Sequence, residues 1–266
     1  MSKLLADKEK NIYKEIILFL LIVFLLPAIC VWILENNSNS IVALIIYGVE
    51  GASPALAAVI VVVYKSRKSL GKFLYEKYLL NLSLRKCMLG IVIPFSILSL
   101  AKIISIWMGD NYLFPVVPDI RKMVILLWAL IAEELGWRGF LQDKLERLLP
   151  DFLIPLITGF IWCLWHYHFI ISGSMEVPIL AFLLGCVFES YGYYALTKAA
   201  KNNIVPASIW HFVGNLFFNM YKFDAQWHNG NTMFYWVATV FYAINILVFA
   251  LLFVSWKKKY KKTSMK

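Results

Sequence analysis

The chain has 266 residues, 61% of them hydrophobic and 16% charged, with a mean hydropathy of +0.70. A soluble domain of this length carries more charge, which excludes that class. The formal net charge of +10 raises nucleic acid as a partner, but the basic residues cluster at the ends of apolar runs, where a membrane surface is the better reading.

Apolar runs of roughly 17–25 residues recur along the chain, each about long enough to cross the hydrocarbon core as a helix. In chain order they predict eight spans, near 14–34, 41–64, 87–108, 122–140, 152–171, 177–197, 204–220 and 232–255. The first run is too long for a signal-peptide core and has no small-residue cleavage site, so it reads as a retained span. The expected fold is all-α: a polytopic membrane protein with one helical bundle around an intramembrane polar cavity. A single membrane domain covers 1–266, with anchoring spans in 1–108, a motif-bearing core in 122–220, and a last span with a basic tail in 232–266. No internal repeat is evident, which disfavours a transporter built from duplicated halves. Cys30, Cys87, Cys163 and Cys186 lack metal-type spacing and read as packing residues.

The charges orient the bundle. Of the 26 Lys and Arg, 21 fall before span one, between spans two and three, after spans four and six, or in the tail. Only Arg121, Lys122 and Lys222 fall on the other side, with Lys102 and Arg138 inside spans. Positive charge marks the cytoplasmic face, which places both termini inside a bacterial cytoplasmic membrane. Turn signals at Asn36–Asn39, Gly109–Asn111 and Asn229–Asn231 fall on the outer side. The basic stretch 65–86 reads as a contact for anionic lipid headgroups rather than nucleic acid.

Three spans carry polar groups whose placement in lipid costs about 2.5–3.5 kcal/mol per charge, so they need partners. Glu133 and Glu134 are adjacent, and Arg138 follows Glu134 by four residues, so the latter two share a helix face and pair. Glu133 points about 100° away and is free for a different neighbour. His166 lies on span five; His211 and Asn215, four apart on span seven, can address one point. His168 reads as packing or rim, Asn219 as helix glue, and Ser208 as an unsupported nucleophile. Glu50 and Lys102 stand as isolated intramembrane charges. A carboxylate, two imidazoles and an amide suit hydrolysis of a carbonyl compound. Glu133 would be the general base, His166 would orient water, and His211 with Asn215 would donate to the oxyanion.

These residues resemble the CPBP family of intramembrane glutamic endopeptidases, also called the CAAX protease and bacteriocin-processing (Abi) family. Glu133-Glu134-x-x-x-Arg138 matches its EExxxR motif and His211-x-x-x-Asn215 its HxxxN motif. The FxxxH motif is matched at His166, with Trp162 where the family usually has Phe. The resemblance implies peptide-bond hydrolysis in the membrane without a covalent intermediate and without a cofactor. It carries over Glu133 and His166 as the water-activating pair, His211 and Asn215 as the oxyanion site, and Glu134 and Arg138 as supports. Peptide or membrane-protein substrates follow, either prenylated or leader-type, and some relatives are immunity or scaffold proteins. Alternatives remain a non-proteolytic protein of the same fold, a transporter with a Glu133–His166 proton relay, and a zinc protease with Glu133, His166 and His211 as ligands. The H-E-x-x-H helix of common zinc proteases is missing. The sequence leaves oligomeric state open.

Overall fold

The computed structural model describes residues 2–36, 40–65, 69–173 and 175–252, whose regular structure is all helical, with no strand among them. The expected turn at 37–39, Arg67, Lys68 and the basic tail beyond 252 lie outside the described residues. In chain order the helices are α1 (Ser2–Glu35), α2 (Ser40–Gly51), α3 (Ser53–Ile60), α4 (Leu70–Leu74), α5 (Leu84–Trp107), α6 (Ile120–Ala132), α7 (Glu134–Gly136) and α8 (Gln142–Leu145). They continue as α9 (Leu153–Trp165), α10 (Tyr167–Ile171), α11 (Ile179–Ala199), α12 (Val205–Met220) and α13 (Met233–Tyr242).

Each predicted span falls on a helical segment, but the segments are not eight equal crossings. Among the described residues, five are long and apolar enough to span a membrane: Glu9–Glu35, Leu84–Trp107, Leu153–Ile171, Ile179–Ala199 and Met233–Leu252. A sixth arises if the bent pair Ile41–Gly51 and Ser53–Lys65 counts as one. This is an integral membrane protein, and the count of eight is not established. The expected fourth and seventh spans fall short for visible reasons. The fourth is interrupted at Glu133, between α6 and α7, and α12 has only 16 residues.

The 63° bend between α2 and α3 follows from Pro54 in the first turn of α3, where its missing N–H costs nothing but the preceding helix cannot continue. The bend brings Pro54 against Gly136: a Cβ on Gly136 would sit 2.5 Å from the Pro54 backbone, so only glycine permits this contact. Trp165 Nε1 donates to Ser53 Oγ at 2.9 Å, and Glu50 pairs with His168 in the same corner. Glu50 is therefore not isolated, and His168 is a buried partner rather than a rim residue. Lys102 is likewise paired, bonding Asp110 at 2.5 Å and the Tyr221 carbonyl at 2.7 Å.

Around the polar centre the bundle closes by α12 packing on α5 and α11 on α9. Gly159 lets α9 approach α11 so closely that a Cβ would lie 2.6 Å from Val187 Cα. The main core holds Phe19, Trp137, Phe140, Trp165, Tyr193 and Trp210, all fully buried. Its aromatic bulk encases the charged groups that follow.

Candidate active site

The four residues expected to carry chemistry line one cavity of about 960 Å³. Glu133 comes from the α6–α7 break, His166 from the α9–α10 junction, and His211 and Asn215 from α12. Glu133 has φ −101°, ψ −48°, and the helix breaks there and restarts. That break decides the fate of the two adjacent carboxylates. Glu133 lines the cavity and accepts a hydrogen bond from Trp162 Nε1 at 2.8 Å. Glu134 is wholly buried, and its Oε1 accepts both Arg138 NH1 at 3.0 Å and His211 Nδ1 at 2.9 Å.

The Glu134–Arg138 pair expected from their spacing is thus present, and it extends to His211. Arg138 NH2 donates to Ser190 Oγ at 3.1 Å, and its guanidinium stands 4.4 Å from the Tyr193 ring centroid and 5.1 Å from that of Trp162. An ionised carboxylate only accepts, so His211 Nδ1 carries the proton in this bond. For His211 to donate into the cavity as well, Nε2 must also be protonated, as an imidazolium held by Glu134. In His166, Nδ1 lies 2.8 Å from the Trp162 carbonyl, which fixes the proton on Nδ1 and leaves Nε2 to accept.

Residues that sequence reasoning missed complete the wall. Glu189, on α11, lines the cavity and accepts Tyr193 OH at 3.0 Å. A Cβ on Gly214 of α12 would come within 3.1 Å of Glu189 Oε1, so the glycine leaves room for this carboxylate. The available signal was a lone Glu inside the sixth apolar run, with Tyr193 one turn on. Trp162, where the family usually has Phe, adds an indole N–H that donates to Glu133. Ser208 is buried with no hydrogen-bond partner for Oγ among the described residues, and the cavity lining does not include it. Among the described residues, no group of three or more His, Cys, Asp or Glu, Glu133, His166 and His211 included, is placed to hold a metal ion.

The cavity occupies one half of the bundle. It is lined by Trp162, His166 and Phe169 at the end of α9 and in α10, Phe182 to Glu189 at the start of α11, and His211 to Asn219 at the end of α12. Lys122, Met175, Glu176, Asp224 and Gln226 form its rim. Burial raises the Asp224 carboxyl above its ordinary range, against the opposing pull of Lys122, Lys222 and His228. From Lys122 to Glu133 the chain advances eleven helical residues, so the carboxylate lies about 16 Å below the rim.

Residues 120–217, which contain all of these motifs, match the family model of Rce1-like type II CAAX prenyl endopeptidases. This part of the chain is similar to the CAAX protease family. It is 32% identical over 103 residues to a protein of Methanococcus maripaludis named CAAX prenyl protease 2. That alignment covers 35% of this chain and 38% of the relative, so the likeness spans well under half of either. The matched segment runs from α6 through most of α12, which carry the four motif residues of the cavity, while α2 and α13 complete its lining. The anchoring helices before it lie outside the match.

Proposed function

We propose that this chain is an intramembrane endopeptidase in which Glu133 activates water for attack on a peptide bond. One observation carries the reading: Glu133, His166, His211 and Asn215, from three separate helical segments, line the same cavity below the rim. A peptide carbonyl enters with a water between it and the Glu133 carboxylate. Glu133 takes one proton as the water oxygen bonds to the carbonyl carbon, with His166 Nε2 accepting the water's other hydrogen. The oxyanion that forms accepts hydrogen bonds from Asn215 Nδ2 and from the His211 imidazolium. Collapse of this intermediate breaks the C–N bond, and Glu133 returns its proton to the leaving amine. No covalent enzyme intermediate arises, and no metal is required by any step. Glu134 and Arg138 act indirectly, holding His211 in its protonated form and orientation.

The substrate is a peptide or membrane protein, and the basic cytoplasmic segments contact anionic lipid headgroups. The test compares membrane and secreted peptides from cells carrying wild type or Glu133→Gln. The reading requires products that disappear with Glu133→Gln while the protein persists in the membrane. Products unchanged by that variant would leave the non-proteolytic reading in place. Loss of wild-type cleavage on chelation, restored by zinc, would instead reinstate the metal mechanism.

A further inference from the structure

The side of the membrane on which the cavity opens follows from two independent observations. The first is the position of its lining residues along each helix. Of the helices that contribute, α9 with α10, α11, α12 and α13 do so with the part adjoining the loops at 172–178 and 221–231, while α2 and the length of α6 line one side; the rim is made from those two loops and from Lys122 at the start of α6. The opposite halves, near Lys144 and Arg147 after α8 and Lys198 at the end of α11, contribute nothing to it.

The second observation is charge. The rim face carries Arg121, Lys122 and Lys222, whereas in the sequence 21 of the 26 basic residues fall on the other side of the predicted spans, and among the described residues Lys77, Lys144, Arg147 and Lys198 stand at the helix ends away from the cavity. The rim itself has two carboxylates, Glu176 and Asp224, against the single ammonium of Lys122. On the other face, Lys77 pairs with Asp143, Lys144 with Glu15 and Lys198 with Glu146, which fixes those lysines beside the helix ends that lack the cavity. Lys and Arg in short loops are retained on the cytoplasmic side.

We infer that the cavity opens to the extracytoplasmic face and that the scissile segment reaches Glu133 from that side. The inference rests on the peptidase reading for its substrate half. The substrate class is then a translocated polypeptide: an exported peptide, or the outer juxtamembrane segment of a membrane protein. A prenylated C-terminal tail held at the cytoplasmic surface would lie across the bilayer from the rim. With Glu133 about 16 Å down from the rim in a core about 30 Å thick, the scissile bond enters to near mid-membrane as an extended segment.

Cysteine labelling in intact cells tests the geometry without reference to catalysis. The native cysteines are free, with three buried and Cys87 half-buried, so the wild-type chain supplies the blank. Gln226→Cys places a thiol on the exposed rim, and Arg147→Cys one on the exposed basic face. With a membrane-impermeant maleimide, Gln226→Cys should label fully in intact cells and Arg147→Cys only after permeabilisation. Glu176→Cys provides a second rim position should the first variant fold poorly. Rim thiols that label only after permeabilisation would overturn the inference, even if Glu133-dependent products are found, and the peptidase reading would survive. Rim thiols that label from outside, together with Glu133-dependent products confined to translocated polypeptides, would establish it. Outside labelling with no Glu133-dependent product would overturn the peptidase reading and the substrate class, leaving only the orientation.

Discussion

Replacing Arg138 by Met tests whether the buried charge cluster is one unit. The Arg138 side chain is 1% exposed and donates to Glu134 and Ser190 while stacking on Tyr193 and Trp162. Arg138→Met removes every one of these and leaves the fully buried Glu134 carboxylate with His211 alone, since its Oε2 has no partner among the described residues. Breaking a buried ion pair from one side costs about 3–5 kcal/mol. For a chain of this size that corresponds to a fall in Tm on the order of 10 °C. The double variant Glu134→Gln/Arg138→Met removes both charges, and such replacements are often neutral in stability. It should therefore melt close to the wild type. His211, however, has lost the carboxylate that holds it as a donor, so activity should stay low. Thermal unfolding in detergent, followed by tryptophan fluorescence, measures the first quantity, and release of the peptide product measures the second. A single variant melting within about 2 °C of wild type would refute the ion-pair argument. A double variant that regains activity along with stability would refute the role given to Glu134.

Three further outcomes follow from individual contacts. Trp162→Phe keeps a ring against His211 and His166 but deletes the donor to Glu133; a hydrogen bond to a charged group contributes about 1.5–3 kcal/mol, so kcat should fall roughly ten- to a hundredfold with the Tm little changed. An unchanged kcat would show that Glu133 is positioned by something else. Asn215→Ala should lower kcat by about 10²–10³ with a smaller effect on KM, as expected for a donor that acts on the oxyanion; an effect confined to KM would move Asn215 to substrate binding. Gly136→Ala forces a Cβ into the Pro54 backbone and should destabilise by about 1–3 kcal/mol or more, read as a lower Tm; an unaffected Tm would mean that α3 and α7 are not locked together there.

The motif geometry was legible because helical spacing translates directly into shared faces. Glu134 and Arg138, four apart, pair as expected, and adjacency alone separates Glu133 from them. Membrane hydropathy put every predicted span on helix, since nothing but helix satisfies the backbone in lipid, but it did not mark the short helix α4 in the basic stretch between spans two and three. What it could not supply was continuity. The expected fourth span breaks at Glu133, the proposed base, because a carboxylate turned toward a cavity and one turned into the core need different backbone directions at neighbouring positions. Partners distant in sequence were also hidden. Glu50 looked isolated because His168 lies 118 residues away; Lys102 looked so because Asp110, only eight residues on, sits past the end of α5 and folds back to it. Glu189 was overlooked because it belongs to no motif, although a lone carboxylate in an apolar run is itself a signal.

The same local disruption accounts for how two adjacent carboxylates can serve the proposed mechanism, in which only one is the base. The helix stops at Glu133, restarts at Glu134, and passes through a π turn over Trp137–Leu141 that includes Arg138. Such turns cluster where a regular helix would aim side chains wrongly. Here the irregular stretch aims Glu133 at the cavity and holds Glu134 and Arg138 on the far side of its wall, against His211 and Ser190. A continuous helix would hold both acids in a fixed 100° relation and leave the cavity wall to chance. In the proposed mechanism the break lets one acid meet water while the other, paired with Arg138, sets the proton on His211. Division of labour between adjacent acids thus depends on backbone irregularity, and that irregularity is held by Gly136 against Pro54 across the bundle.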